Sequence, residues 1–238
     1  MTPKKLAVFV EGQTEQIFLQ RLLREIAGQQ EIAIEPIKFF GSGPSRVRTM
    51  TSRYREDASF YAQIIDCHGG GEWTTVVSDI RDHYQGLVRE GFSLVLGVRD
   101  VYPVPMDRYL QLREGIQRAL PRGRVPVAVI LAVREIEAWF VAEDRHYEVL
   151  NRTLTPHAIK RALHIDVVND PPESFTHPAD LLNRIYRLRN MSYKKSRADV
   201  MRTVEALDYD YLSHGVAEKS ESLAQLCKHL RRFFHVPA

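Results

Sequence analysis

The sequence predicts an α/β fold, a mostly parallel sheet with helices on both faces, followed by a helical C-terminal region. Three observations carry this expectation. Apolar runs rich in β-branched residues are unbroken rather than alternating, as in strands buried on both faces. Helical periodicities fall between those runs, the pattern of β-α-β units. The strand signal fades after about residue 145 while helical patterns continue, so the expected division is an α/β domain over residues 1–145 and a helical region over 146–238 packed on it.

The first strand is Leu6-Ala7-Val8-Phe9-Val10. A helix over Thr14–Ile26 follows, with Phe18, Leu19, Leu22, Leu23 and Ile26 on one side. Thr14 suits the N-cap, and Glu15 sits in the first turn, where the helix dipole favours an acid. Phe60–Ile65 is a weaker strand, interrupted by Gln63. Helices are expected over Thr75–Arg89 and Met106–Leu120, and further strands over Leu94–Val98 and Val127–Val133. Beyond these, Thr155–Leu163, Pro178–Leu188, Arg197–Leu207 and Ser220–Phe234 read as helices, separated by breakers such as Asp170-Pro171-Pro172. Phe40–Glu56, with two glycines, a proline and four arginines, reads as a mobile loop.

Composition narrows the function classes. Hydrophobic residues make up 44% of the 238 and charged ones 26%, enough to build a core and too apolar for wholesale disorder. The net charge of +3 neither announces a nucleic-acid binder nor excludes one, because a mean hides patches. Two cysteines, Cys67 and Cys227, leave no disulfide framework and no cysteine zinc cluster. With no signal peptide visible, the expected location is the cytoplasm. The early apolar run is too short for a membrane span.

Every strand runs into an acid. Val10 is followed by Glu11, Val98 by Arg99 and Asp100, Val133 by Arg134 and Glu135, and the weaker strand by Asp66. In open α/β sheets ligands bind outside the carboxyl ends of the strands. Carboxylates gathered there repel one another and call for a cation or raised pKa values. An all-oxygen set suits Mg²⁺ or Mn²⁺, which keep waters and engage phosphates. The competing explanation is that acids simply cap helix N-termini. Glu135 and Glu137 are two apart and share a face only in extended chain; on a helix they diverge by about 200°, so one of them is expected to be structural.

Three blocks resemble a known family: Val10-Glu11-Gly12-Gln13-Thr14-Glu15-Gln16-Ile17-Phe18-Leu19, Arg99-Asp100-Val101-Tyr102-Pro103, and Arg134-Glu135-Ile136-Glu137-Ala138-Trp139-Phe140. Their order and spacing are similar to those of TOPRIM-like proteins. More closely, they resemble a TOPRIM-related family encoded beside ATPases in bacterial defence islands and related to the nuclease half of OLD-type systems. The resemblance implies a TOPRIM/Rossmann-like sheet and a Mg²⁺-dependent nuclease or phosphoryl-transfer enzyme. Glu11 would serve as general acid/base or ligand, with Asp100, Glu135 and Glu137 as metal ligands. An AAA/ABC-type ATPase would be the partner in anti-phage defence. The chain departs from the TOPRIM Asp-x-Asp pair at Tyr102, and this favours the alternative of a non-catalytic module that binds nucleic acid or the ATPase.

The basic residues cluster. Leu181–Arg202 holds seven of them (Arg184, Arg187, Arg189, Lys194, Lys195, Arg197 and Arg202) against one acid, Asp199, a net of +6 interleaved with Tyr186 and Tyr193. Lys194, Lys195 and Arg197 would hold phosphates while tyrosines stack on bases, with DNA favoured over RNA; the plain alternative is a solvated helix face. Arg46, Arg48, Arg53 and Arg55, on the expected mobile loop, form a second strip, of which Arg46 and Arg48 would contact nucleic acid. The run Asp66-Cys67-His68-Gly69-Gly70-Gly71 could receive a phosphate but lacks the Lys and Ser/Thr of a P-loop, and Gly41-Ser42-Gly43-Pro44 lacks the dinucleotide fingerprint.

Overall fold

A computed structural model describes residues 2–40, 47–50, 58–68 and 76–236. The chain divides into two compact units. The first takes in 1–99, 104–131 and 229–238, and the second 100–103 and 132–228.

The first unit is built on a six-stranded sheet. Its strands are β1 (Lys4–Val10), β2 (Ile32–Phe40), β3 (Val47–Met50), β4 (Phe60–Asp66), β5 (Phe92–Asp100) and β6 (Val127–Ala132), in the order β3-β2-β4-β1-β5-β6. The pairs β1–β4, β1–β5 and β2–β4 are parallel, and only β3 runs antiparallel, on the edge. Val95 N–H donates to Pro126 O and Val101 N–H to Ala132 O, an equal offset that makes β5 and β6 parallel too. The predicted α/β class and parallel sheet are therefore present.

Burial on both faces explains the unbroken apolar runs. Leu6 to Val10 are all fully buried. Ala7 and Phe9 pack with Val76, Ile80, Tyr84 and Leu87 of helix α2 (Val76–Arg89). Leu6, Val8 and Val10 alternate to the opposite face, where helix α1 (Gln13–Ala27) contributes Phe18, Leu19, Leu22 and Leu23. Gly97 of β5 lets α2 approach closely: a Cβ there would come within 2.9 Å of both Val76 and Val129 side chains.

Three expectations change. The N-cap of α1 is Gly12, without a side-chain cap, and Thr14 lies inside the helix and buried. The segment 32–40, read as no element, is β2. Its Pro36 and Glu35 disguise a strand, yet Glu35 is buried and accepts hydrogen bonds from Tyr61 and, at 3.1 Å, from Gln63 on β4. The same trio accounts for Gln63 inside a buried strand. Within the expected mobile loop, Val47–Met50 forms β3, pairing Arg48 with Phe39 in register. Arg46, Arg53 and Arg55 lie outside the described residues, as do Gly69, Gly70 and Gly71 of the glycine-rich run.

The first unit also holds helix α3 (Tyr109–Ala119). The second unit is helical: α4 (Glu137–Ala142), α5 (His146–Leu150), α6 (Pro156–Leu163), α7 (Pro178–Arg187), α8 (Arg197–Ala206) and α9 (Tyr209–Tyr211), the last running into a π-helical turn over Leu212–Val216. Helix α10 (Glu221–Phe234) closes the chain. Trp139, Phe140, Tyr147 and Tyr186 are the largest buried side chains of the second unit.

Candidate functional site

The second unit gathers Asp100, Glu135 and Glu137. One carboxylate oxygen from each lies within 4.8 Å of the others. Asp100 is the last residue of β5, and its Oδ1 accepts the Ile136 N–H at 3.0 Å. That bond fastens the turn carrying the two glutamates to the strand end. Arg134, just before them, has φ +68°, a left-handed conformation that costs a bulky residue about 1 kcal/mol or more and sets the direction of the turn. Glu135 then precedes α4 and Glu137 opens it. The helical divergence anticipated for the pair does not apply, and both side chains reach the group. The N–H of Ala179, in the first turn of α7, donates to Glu135 Oε2 at 3.4 Å.

Lys195 completes the arrangement. Its Nζ lies 3.0 Å from Glu135 Oε1 and 3.1 Å from Glu137 Oε1, and its backbone is also left-handed, φ +55°. Expected from the sequence as a phosphate contact, it also binds two of the three carboxylates. Tyr193 O–H donates to Glu137 Oε1 at 3.0 Å. Glu137 Oε2 is buried and has no hydrogen-bond partner among the described residues. Burial pushes the Glu137 carboxyl up, Lys195 pulls it back and Glu135 adds to the rise. For Lys195 burial works against the charge, but Glu137, Glu135 and Asp100 outweigh it and hold the ammonium above its ordinary range. With every group ionised, three carboxylates and one ammonium leave a net charge of −2, which matches one divalent cation.

Glu11 is not among these three. It belongs to the first unit, where its Oε1 lies 3.3 Å from Arg99 Nε. Asp66, the acid ending β4, accepts the His68 N–H at 2.8 Å, and its Oδ2 lies 3.7 Å from Lys38 Nζ. Tyr102 is 55% exposed.

The basic strip of the second unit divides. Arg189 is held by Thr153 and the Leu188 carbonyl, and Arg202 by Asp199 and the Ser192 carbonyl. Arg184, Arg187, Lys194 and Arg197 are exposed, with no side-chain partner among the described residues. Tyr186 and Tyr193, expected to stack on bases, are buried: Tyr186 bonds Thr203 and Tyr193 bonds Glu137. Sequence reasoning missed Tyr193 and Lys195 as companions of the carboxylates. They lie about 60 residues downstream of Glu135, and only their type, not their spacing, offered a signal.

Among the described residues no helix is long and apolar enough to cross a membrane. No curated protein and no solved structure matches the chain. A family match does exist, and it runs over residues 10–234, a span that includes Asp100, Glu135, Glu137 and Lys195. The chain belongs to the family described as a domain of unknown function, DUF4276.

Proposed function

We propose that the chain is a divalent-cation-dependent phosphodiester hydrolase of TOPRIM-like type, acting on nucleic acid. The observation that carries this reading is the carboxylate group itself, three oxygens within 4.8 Å with a buried Glu137 oxygen lacking a partner among the described residues. An oxygen-only set of this kind fits a hard cation such as Mg²⁺ or Mn²⁺ better than zinc. Asp100, Glu135 and Glu137 would hold it. A bound cation of this class supplies a polarised phosphoryl oxygen and a water of lowered pKa.

The chain's own residues have distinct tasks in this reading. Asp100 ties the β5 end to the turn of Glu135 and Glu137. Tyr193 fixes the Glu137 carboxylate. Lys195 balances part of the acidic charge and provides an ammonium close to where a phosphate would sit. Arg184, Arg187, Lys194 and Arg197 form the electrostatic contact to a phosphate backbone. Glu11 takes the role of general base by the motif resemblance alone, and the same resemblance is what suggests an ATPase partner in anti-phage defence.

Thermal unfolding with Mg²⁺ or Mn²⁺, alongside cleavage of single- and double-stranded DNA and of RNA, tests the proposal. A cation at a hundredfold excess over its Kd should stabilise the wild type by about 2.7 kcal/mol, and the double variant Asp100→Asn/Glu135→Gln should lose that response. Glu11→Gln should keep the response and lose cleavage. A wild type with neither stabilisation nor cleavage would overturn the reading, leaving Lys195 and the carboxylates as a structural ion-pair network in a binding module.

A further inference from the structure

A cavity lies in the first unit, at the amino ends of β1, β5 and β6, and encloses about 380 Å³. That is within the range of small-molecule sites. Among the described residues its lining includes Lys4, His229, Arg232 and His235 beside the apolar Val127 and Ala128, and no acidic residue. Among the described residues neither Lys4 nor Arg232 forms an ion pair.

Lys4 Nζ donates to the Phe233 carbonyl at 2.6 Å, contacts His235 Nε2 at 3.2 Å and lies 4.9 Å above the Phe233 ring. Burial holds its ammonium below the ordinary lysine range, the condition of a cation short of a counter-charge. His235 follows the last residue of α10 with φ +58°, a seat that glycine or asparagine ordinarily fills. Basic residues at a helix C-terminus complement its dipole, but that end carries only about half an elementary charge. Lys4 and Arg232 exceed it before either imidazole is protonated.

We infer that this cavity binds a small organic phosphate or phosphonate, its anionic group between Lys4 and Arg232 and its apolar or aromatic body against Val127 and Ala128. The site shares no residue with the carboxylate group, so its test does not depend on metal binding or cleavage. Phenylphosphonate, which resists hydrolysis, is the probe, titrated by calorimetry into the full-length protein. Saturable one-to-one binding is expected, weakened tenfold or more by Arg232→Glu, a change at an exposed position. Ala128→Leu, which fills the cavity and leaves the charges in place, should weaken it similarly; circular dichroism checks its fold, and if that variant unfolds, Arg232→Glu alone decides. Inorganic phosphate and benzyl alcohol, each carrying half of the ligand, should bind at least tenfold more weakly. Absence of saturable binding, affinity within twofold of wild type in Arg232→Glu, or equal affinity for inorganic phosphate would each overturn the inference.

Discussion

The first unit is held by strands whose buried residues are nearly all apolar, the second by short helices joined through buried polar groups. β1 contributes five consecutive fully buried apolar residues. In the second unit Glu137, Glu143, His146, Thr203 and Ser220 are fully buried, and helices α4 to α8 run to only 6, 5, 8, 10 and 10 residues. Helices that short are marginal by themselves, and their ends leave a large share of their N–H and C=O groups unpaired. Side chains must satisfy those groups. The lesson is that the second unit carries polar atoms inside for structural reasons, and the same habit lets it hold three carboxylates and an ammonium together.

The sharpest test is to remove one such polar group. Glu143 is fully buried; its Oε1 accepts the Arg145 N–H at 3.0 Å and its Oε2 the His146 N–H at 3.1 Å. Glu143→Ala strands the buried His146 N–H, at about 1–3 kcal/mol, while the part-buried Arg145 N–H can turn to water, so a loss of about 2 kcal/mol is expected in denaturant unfolding. Phe9→Ala, at a fully buried position of the first unit, should cost about 3–5 kcal/mol by cavity formation. A loss below about 1 kcal/mol for Glu143→Ala, with Phe9→Ala as expected, would break the contrast.

The same contrast explains what the sequence made legible. Parallel strands buried on both faces announce themselves as unbroken runs, so β1, β5 and β6 were readable. β2 was not, because Glu35 and Pro36 carry the marks of a turn; the reason they are tolerated is the cross-strand register, which sets Glu35 opposite Gln63 and Ala33 opposite Tyr61. No local pattern encodes that pairing. Among the acids at strand ends, Asp100 and Glu135 do come together, joined by Glu137. Lys195, expected as a phosphate contact, closes the group from a loop far along the chain, a long-range contact invisible to periodicity. Tyr193 and Tyr186 misled for a related reason: an aromatic beside arginines suggests base stacking until their burial is known.

Helix caps give a smaller effect of the same kind. In the second unit Thr155 Oγ1 accepts the Ala158 N–H at 3.1 Å and Ser196 Oγ the Asp199 N–H at 3.2 Å. In the first unit α1 and α3 start at Gly12 and Arg108 without side-chain caps. Thr155→Ala and Ser196→Ala should therefore each cost about 1 kcal/mol, and Arg108→Ala, at an exposed position with no cap hydrogen bond to lose, only a few tenths. Calorimetric melting of the three variants decides; equal losses would mean that the first unit depends on its helix starts as much as the second.

Acid should separate the units with the least perturbation. In the first unit burial raises the Asp66 pKa, despite the bond from the His68 N–H and the charge of Lys38. A carboxyl whose folded pKa lies above its unfolded value takes up its proton more readily when folded, so its contribution to stability rises as pH falls through the folded pKa and levels off below the unfolded value near 4. For Asp208 and Asp199 of the second unit the sign reverses. Asp208 is held low by the Tyr211 N–H and Arg145 against opposing burial. Asp199 is held low although burial opposes it, by the Lys194 N–H, the Ser196 hydroxyl and Arg202. Their contribution is complete above the unfolded pKa and is lost as pH falls from about 4 through the folded values. Amide exchange between pH 5.5 and 3, corrected for intrinsic rates, should show β4 and β1 keeping or gaining protection while α8 and α9 lose it first. Loss beginning in β1 and β4 would place the acid-sensitive contacts in the apolar sheet and reverse the assignment of which unit depends on its charges.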